Sequence, residues 1–139
     1  MTSPLEYVEI LARALDADDY ETAASSLADH VEYTVGDEAI VGPEAVISSY
    51  RAASEMAHRL FDKVGYDHET YPTDDPNTFR VGYTDELTIG GESLVHSAEQ
   101  RVTVSGDDGV VRIINVEIPG EREKVDELLN RHGLSRDPG

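Results

Sequence analysis

The sequence contains no cysteine and no tryptophan, and only two of its basic residues, Lys63 and Lys124, are lysines. Without cysteine the chain has no disulfide, no thiolate nucleophile and no cysteine-ligated zinc or iron–sulfur site. No run approaches the ~18–20 apolar residues of a membrane-spanning helix. No basic segment followed by an apolar stretch opens the chain, so no secretory signal is predicted. Together these absences favour a cytoplasmic protein.

Positive charge is scarce. Eleven lysines and arginines face 29 aspartates and glutamates, so the formal net charge is −18. This charge argues against nucleic-acid and membrane partners, because both surfaces are anionic and need a basic patch. The acids are spread along the chain, and salt screens the repulsion among them. The composition therefore indicates a halophilic source, with an ordinary acidic cytosolic protein as the alternative.

The length predicts one domain, because a single core spans about 100–200 residues. The chain has 139 residues, with no repeat, linker or low-complexity block. We expect a single domain over residues 1–139, with its core in residues 4–118. Residues 119–139 are expected to form a C-terminal helix and a tail, which is loose from residue 133.

Helical periodicity marks three segments in the first sixty residues. Ser3 and Glu6 form a capping box at the start of the first helix. Asp18 and Glu21 predict a second, short helix that ends near residues 29–30. Gly42 precedes a longer third helix. The apolar stripe of this third helix consists of Val46, Tyr50, Ala53, Ala57 and Leu60.

Strand periodicity follows. Residues 31–35 alternate as a half-buried strand, and from residue 61 onward the chain predicts an antiparallel meander. Turns are predicted at residues 72–77 and 106–109. One face of the long strand before the last turn carries Leu94, His96, Ala98, Gln100, Val102 and Val104.

The last strand, residues 110–118, is apolar at both parities. A strand apolar on both faces is buried on both faces. A second copy of the chain is the natural cover for the outer face, which predicts a homodimer through the sheet. The alternative cover is a terminal helix marked by Val125, Leu128 and Leu129.

Three segments carry a family resemblance. Residues 27–33 (LADHVEY), 41–46 (VGPEAV) and 106–113 (GDDGVVRI) lie in a chain whose order is helix, short helix, strand pair, long helix and long antiparallel strands. This pattern resembles the nuclear-transport-factor-2-like superfamily, in particular its SnoaL-like members, over residues 4–118. The resemblance implies an α+β fold in which a cone-shaped, curved antiparallel sheet wraps around a long helix and encloses a pocket.

The resemblance does not imply one reaction, because this fold carries many functions. The tyrosine, base and protonated aspartate of ketosteroid isomerases align with Leu11, Val35 and a position near Gln100, so that chemistry is lost. Epoxide hydrolases of the superfamily use an aspartate–arginine–aspartate set. Here Arg101 matches the arginine, but Thr103 stands where an aspartate belongs.

Five side chains are candidates for lining the pocket. Phenol rings bind apolar ligands and leave a hydroxyl for specificity. An inward histidine titrates near neutrality and can act as acid or base, and an amide can orient a polar group. Plain core packing is the alternative for each of them. The candidates are Tyr33, Tyr50, Tyr83, His96 and Gln100, with His96 as the catalytic one.

No cofactor or metal is expected, because the sequence has neither tight metal-ligand spacing nor a glycine-rich phosphate loop. The sequence thus predicts a small-molecule-binding domain with an internal pocket and no assignable reaction. The first alternative is a SnoaL-like isomerase, cyclase or hydrolase that acts on a small apolar substrate through His96. The second is a non-catalytic dimeric adaptor. An open cavity with unpaired polar groups favours binding or catalysis, whereas a cone filled by side chains favours the adaptor.

Overall fold

The computed structural model describes residues 2–136 of the chain. In this part four helices accompany one curved, open sheet of six strands, which confirms the α+β fold class. In chain order the elements are α1 (Pro4–Asp16), α2 (Tyr20–Ser25), β1 (Leu27–Val35), β2 (Glu38–Val41), α3 (Pro43–Leu60), β3 (Lys63–Pro72), β4 (Thr78–Ile89), β5 (Glu92–Ser105), β6 (Gly109–Val116) and α4 (Glu121–Arg131).

The sheet has the strand order β2-β1-β6-β5-β4-β3. Strands β3 to β6 form the predicted antiparallel meander. The pairing of β1 with β6 is parallel, so the sheet is mixed rather than purely antiparallel as the sequence led us to expect. This pairing joins the first and last long strands, and it brings the β1 side chains beside the meander.

A bulge explains why β6 is apolar at both parities. Thr103 pairs with Arg112, whereas the next β5 residue, Val104, pairs with Val110, so β6 contains one extra residue at Val111. Such a residue reverses the alternation of side chains beyond it. Val110 and Ile113 are therefore both fully buried although their parities differ. The bulge, and not burial of both faces alone, accounts for much of the pattern.

The helix boundaries follow local capping with two corrections, both at the second helix. Ser3 Oγ accepts a hydrogen bond from the Glu6 backbone N–H at 3.2 Å, as the capping box predicted. The second helix is capped by Asp19 and not by Asp18, because it is the Asp19 carboxylate that accepts from the Thr22 N–H, at 3.2 Å. It ends at Ser25, not near residues 29–30, because that segment already belongs to β1 and pairs with β6.

Two apolar clusters hold the fold together. The larger one joins α1, α3 and the inward side chains of β1, β4, β5 and β6 around Leu11 and Ile113. The smaller one packs Leu128 and Leu129 of α4 against Phe61 and the ends of β4 and β5. Helix α1 crosses strands β3 to β6, and α3 contacts β1, β2 and β3.

The C-terminal segment is tied to α4 as far as it is described. The Leu134 backbone N–H donates to the Leu129 carbonyl at 2.9 Å, and the Arg136 guanidinium lies 2.7 Å from the Asp126 carboxylate. Residues 133–136 are thus attached to the helix rather than loose, and the rest of the expected tail lies outside the described residues. Across residues 2–136, none of the helices has the length and apolar character needed to span a membrane.

Candidate functional site

A cavity of about 250 Å³ lies between the inward face of the sheet and helices α1 and α3. Five of the seven tyrosines line it. Residues from α1 and its C-terminal turn, α2, α3, β1, β3, β4, β5 and β6 contribute to the wall. The lining residues are Leu15, Asp16, Asp18, Tyr20, Tyr33, Tyr50, Ala53, Ser54, Ala57, Tyr66, Tyr83, Asp85, Ala98, Gln100 and Asn115.

The floor of the cavity is a tyrosine–glutamine–tyrosine network. The rings of Tyr33 and Tyr50 stack with centroids 5.2 Å apart and planes 15° from parallel. The Tyr50 hydroxyl donates to Gln100 Oε1 at 2.8 Å, and Gln100 Nε2 donates to the Tyr33 hydroxyl oxygen at 3.0 Å. Gln100 is only 4% exposed, so these partners satisfy an amide that would otherwise be costly to bury.

The cavity tyrosines are neutral hydrogen-bonding groups. Burial raises the pKa of Tyr33 to about 12, although the hydrogen bond from Gln100 opposes this rise. Burial likewise raises the pKa of Tyr50 well above its usual value, and it raises that of Tyr83. Desolvation disfavours the phenolate in each case. At physiological pH these side chains therefore offer hydroxyl groups and not charge.

Tyr83 stands apart from this network. It lies on β4, opposite His68 on β3 and Ala98 on β5. Its hydroxyl is buried and has no hydrogen-bond partner among the described residues. A buried polar group left unpaired costs ~1–3 kcal/mol. The Tyr83 hydroxyl is therefore the group that a polar atom of a ligand would satisfy.

A histidine between two carboxylates borders the cavity at the end of α1. His68 Nδ1 lies 2.5 Å from Asp16 Oδ2, and His68 Nε2 lies 3.2 Å from Glu9 Oε2. Thr70 also donates its hydroxyl to Glu9. Burial disfavours charge on His68, but the hydrogen bonds to Asp16 and Glu9 prevail and raise its pKa. Carboxylates only accept, so two such partners favour the imidazolium.

The two carboxylates respond differently. Burial raises the pKa of Asp16 despite its bond to His68, and the neighbouring negative charges of Asp67 and Asp85 add to this rise. Burial acts in the same direction on Glu9, yet the hydrogen bonds from Thr70 and His68 leave its pKa lowered. Asp16, which lines the cavity, is thus the less readily ionised member of the group.

Asp18 organises the mouth of the cavity. It has a left-handed backbone with φ of 53°, a conformation that Asp tolerates better than most residues. Its carboxylate accepts from the Tyr20 hydroxyl at 2.9 Å and from the Ser54 hydroxyl at 2.8 Å, and it lies 3.2 Å from His58 Nε2. These contacts join the turn after α1 to helix α3. They fix the shape of the entrance.

Four of the five candidate residues line the cavity: Tyr33, Tyr50, Tyr83 and Gln100. His96 lies on the same face of β5 but outside the lining, and its Nδ1 is 3.2 Å from Oδ2 of Asp85, which does line the cavity. Arg101 is exposed on the opposite parity of β5, so it does not reach the cavity in the manner of the epoxide hydrolases.

Sequence reasoning missed three aspartates that line the cavity, Asp16, Asp18 and Asp85, which together form its acidic rim. Asp18 was assigned only to the start of a helix, and neither Asp16 nor His68 was singled out. Strand parity contains the missing signal, because His68 shares the inward parity of Tyr66 and lies opposite Tyr83. The partners of His68 come from α1, and no local pattern reports that contact.

One cluster in the described residues has the donor types of a metal site. Donor atoms of Asp16, Asp67 and His68 lie within 4.8 Å of one another. Nδ1 of His68 is already engaged by Asp16 at 2.5 Å, and Asp67 accepts from the His68 backbone N–H at 2.9 Å. The arrangement fits a hydrogen-bonded cluster better than an open ligand set, which needs a free imidazole nitrogen.

The fold of this chain is similar to that of many solved structures, and three of them illustrate the likeness. TerC, co-crystallised with polyporic acid, is 14% identical with a TM-score of 0.67 over 91% of this chain and 98% of that chain. A Mycobacterium tuberculosis protein in complex with estradiol-17beta-hemisuccinate is 18% identical with a TM-score of 0.63 over 86% and 97%. A candidate polyketide cyclase from Pseudomonas putida is 15% identical with a TM-score of 0.63 over 89% and 98%.

No protein-family model and no curated protein sequence matches the chain. At these identities the structural likeness establishes the fold alone, because one fold carries many chemistries. The likeness extends over nearly the full length of the three structures. The chain therefore has the α+β fold of these structures, which is the fold that the resemblance to the nuclear-transport-factor-2-like superfamily implied.

Proposed function

We propose that the protein binds a small, largely apolar molecule in the cavity between the sheet and helices α1 and α3. The observation that carries this proposal is an open cavity of about 250 Å³ whose buried Tyr83 hydroxyl has no partner among the described residues. Two proteins of the same fold were solved with ring-bearing small molecules, polyporic acid and a hemisuccinate of estradiol, which supports the proposal.

The size and lining of the cavity define the ligand. Pockets for drug-sized ligands measure ~300–1,000 Å³, so this cavity suits a compact molecule of about one or two rings. The stacked Tyr33 and Tyr50 rings offer a flat apolar wall. An adaptor with a vestigial pocket has no need of an open, tyrosine-lined cavity, and this favours binding over the adaptor.

The enzymatic alternative has one supporting observation. His96 contacts Asp85, a residue of the cavity wall, so a proton on His96 lies one side chain away from a bound molecule. An acid or base must come within hydrogen-bond reach of the reacting atom, directly or through one water. If a substrate is found and a His96→Ala variant converts it at the normal rate, this alternative is wrong.

A cavity-blocking variant tests the proposal. Ala53 lines the cavity from an exposed position on α3, so Ala53→Trp fills the mouth without disturbing the buried core. The neighbouring Ala52→Trp adds the same ring at an exposed position outside the lining. In isothermal titration, neutral 1-naphthalenemethanol is expected to bind the wild type and Ala52→Trp but not Ala53→Trp. Equal binding by both variants overturns the proposal.

We also propose a homodimer through the outer face of the sheet. Ile114 and Val95, which lie on that face, remain 37% and 49% exposed in the single chain. Helix α4 packs on the inward ends of β4 and β5 and leaves the outer face open. Light scattering is expected to give the wild type a molar mass of two chains. Ile114→Asn is expected to lower this mass, whereas the control Leu5→Asn on α1 is expected to leave it unchanged. A monomeric wild type contradicts the dimer.

A halophilic, cytoplasmic origin completes the proposal. It rests on the net charge of −18, the two lysines and the absence of cysteine. Disulfides are rare in the cytoplasm, and dispersed acid keeps a protein soluble where salt is concentrated. A melting temperature that rises between dilute buffer and molar KCl is the result expected of a protein from a halophilic source.

A further inference from the structure

We infer that the cavity selects a ligand that carries a positively charged amine, with its apolar part against the tyrosines. This inference rests on the proposed function and names the ligand class of the same site. Three carboxylates, from Asp16, Asp18 and Asp85, line the cavity, and no lysine or arginine does so within residues 2–136. The buried, unpartnered Tyr83 hydroxyl lines the same space and gives a ligand a polar contact inside it.

While its three carboxylates are ionised, this wall does not become positive. Each of the three aspartates has one histidine partner: Asp16 pairs with His68, Asp18 with His58 and Asp85 with His96. If all three imidazoles are protonated, they only balance the three ionised carboxylates. Whenever one is neutral, the wall is negative, and Glu9 beside His68 adds further negative charge. With its carboxylates ionised, the wall therefore favours a cationic ligand over an anionic one.

Two of the carboxylates have a free oxygen. Asp16 and Asp85 each use Oδ2 for histidine, and neither Oδ1 has a hydrogen-bond partner among the described residues. Asp18, in contrast, already accepts from Tyr20 and Ser54 on Oδ1. An ammonium group donates three hydrogen bonds and accepts none, so it matches free carboxylate oxygens.

The aromatic lining adds to this preference. The face of a tyrosine ring attracts a cation within about 6 Å of its centroid. At the mouth the protein already makes one such contact, with the Arg51 guanidinium carbon 4.9 Å from the Tyr20 ring centroid. Burial raises the pKa of Asp16, and repulsion from the nearby negative charges of Asp67 and Asp85 adds to that rise. A bound ammonium relieves this repulsion, whereas a bound carboxylate increases it.

Three probes that share one ring system test the inference: 1-naphthylmethylammonium, 1-naphthalenemethanol and 1-naphthoate. Titrations in about 1 M KCl shorten the Debye length to ~3 Å, so the general acidity of the surface is screened. The titrations are run at about pH 8, where the amine of the first probe is protonated and the carboxyl group of the third is ionised. The ammonium probe is expected to bind at least ~10-fold more tightly than the alcohol, with the carboxylate weakest.

Variants distinguish the effect of the acidic rim on probe affinity from the effect of the protein's overall charge. Asp85→Asn and Asp16→Asn are each expected to lower the ratio of ammonium to alcohol affinity several-fold. Asp37→Asn removes the same charge from the exposed turn after β1 and is expected to leave the ratio unchanged. Two independent rim variants guard against a misfolded one, and thermal melting confirms that each is folded.

The outcomes distinguish the two levels of the proposal. An alcohol that binds as tightly as the ammonium probe, or a ratio unchanged in both rim variants, overturns the amine preference while the proposed binding function stands. If none of the three probes binds the wild type, the proposed function fails and the amine preference fails with it.

Discussion

At the scale of single residues, Gln100 connects the aromatic floor to the sheet. Its amide accepts from the Tyr50 hydroxyl and donates to the Tyr33 hydroxyl oxygen at 2.8 and 3.0 Å, respectively. Gln100 is only 4% exposed, so its amide depends on these two protein partners. The amide therefore has two roles, which are to hold two rings in stacked contact and to leave the Tyr33 hydroxyl proton available for donation.

Replacing Gln100 by Leu is expected to lower the free energy of unfolding by about 1–3 kcal/mol, because it leaves two tyrosine hydroxyls unpaired. Urea denaturation followed by circular dichroism measures the change. The matched control adds Tyr33→Phe and Tyr50→Phe to the Leu variant. This triple variant is expected to lose less stability than the sum of its parts, since the orphaned hydroxyls are gone. A Leu variant as stable as the wild type contradicts the role of the network.

His68 makes stability depend on pH. Its pKa in the folded protein lies above the ordinary value of 6.5, because its bonds to Asp16 and Glu9 outweigh burial. A group whose pKa is higher in the folded than in the unfolded protein stabilises the folded state. This stabilisation is complete at pH values below the unfolded-state pKa, and it disappears as the pH rises through the folded-state pKa. The difference in unfolding free energy between wild type and His68→Gln is therefore expected to be larger at about pH 6 than at about pH 9.

Chemical denaturation at the two pH values measures this difference. The matched control is His30→Gln, because His30 is exposed on β1 and has no partner among the described contacts. The His30→Gln substitution is expected to change the unfolding free energy only slightly, and by the same amount at both pH values. A His68→Gln difference that stays constant or grows with pH contradicts an imidazolium between Asp16 and Glu9.

Strand parity indicates which side chains face inward, whereas the position of a helix over the sheet has no local signal. Alternation placed Gln100 on one face of its strand with His96, and Gln100, Tyr33 and Tyr83 all line the cavity. The bond from Tyr50 to Gln100 depends on where α3 lies over the sheet, which no local pattern contains. The same limit explains why His68 was passed over, since its partner Asp16 comes from α1.

At the scale of elements, α4 forms a second core rather than a cover for the outer face. Leu128 and Leu129 are at most 1% exposed and pack against Phe61, Leu87 and Ile89. The helix starts without a side-chain cap, so packing must supply most of its stability. Its C-terminal end approaches Gly90 so closely that a Cβ there would lie 2.6 Å from the His132 ring.

Shortening one buried side chain of α4 is expected to weaken the whole fold. Leu129→Ala removes apolar contacts and leaves a cavity, and it is expected to cost about 2–5 kcal/mol of unfolding free energy. Leu134→Ala is the matched control, because Leu134 is 38% exposed just beyond the helix. Urea denaturation compares the two. Similar losses in both variants mean that α4 is not a structural part of the core.

Element boundaries were predictable where a turn or cap marks them. The turn at residues 72–77 and the hairpin at 106–109 fall where β3, β4, β5 and β6 end or begin. The parallel pairing of β1 with β6 was not predictable, because it joins segments about eighty residues apart and leaves no local periodicity. The apolar pattern around Val111 was interpreted as burial on both faces, because the bulge depends on the pairing of β6 with β5 and no local periodicity shows it.

At the scale of the whole molecule, net charge is expected to control stability. A charge of −18 repels itself in the compact state, and salt shortens the range of this repulsion. We expect the melting temperature to rise between dilute buffer and molar KCl. Differential scanning calorimetry measures it, and a sucrose series of equal osmolality controls for general solute effects. A melting temperature that does not rise contradicts adaptation to salt.

The sequence by itself determined the α+β class, the antiparallel meander, most of the inward positions and the charge. These properties follow from composition, local periodicity and turn residues, all of which can be identified in the sequence without knowing which distant segments are in contact. Only the tertiary structure decided the mixed sheet, the place of α4 and the acidic rim of Asp16, Asp18 and Asp85 around the cavity. Each of these depends on contacts between distant segments, and such contacts are selected by packing and not by neighbouring residues.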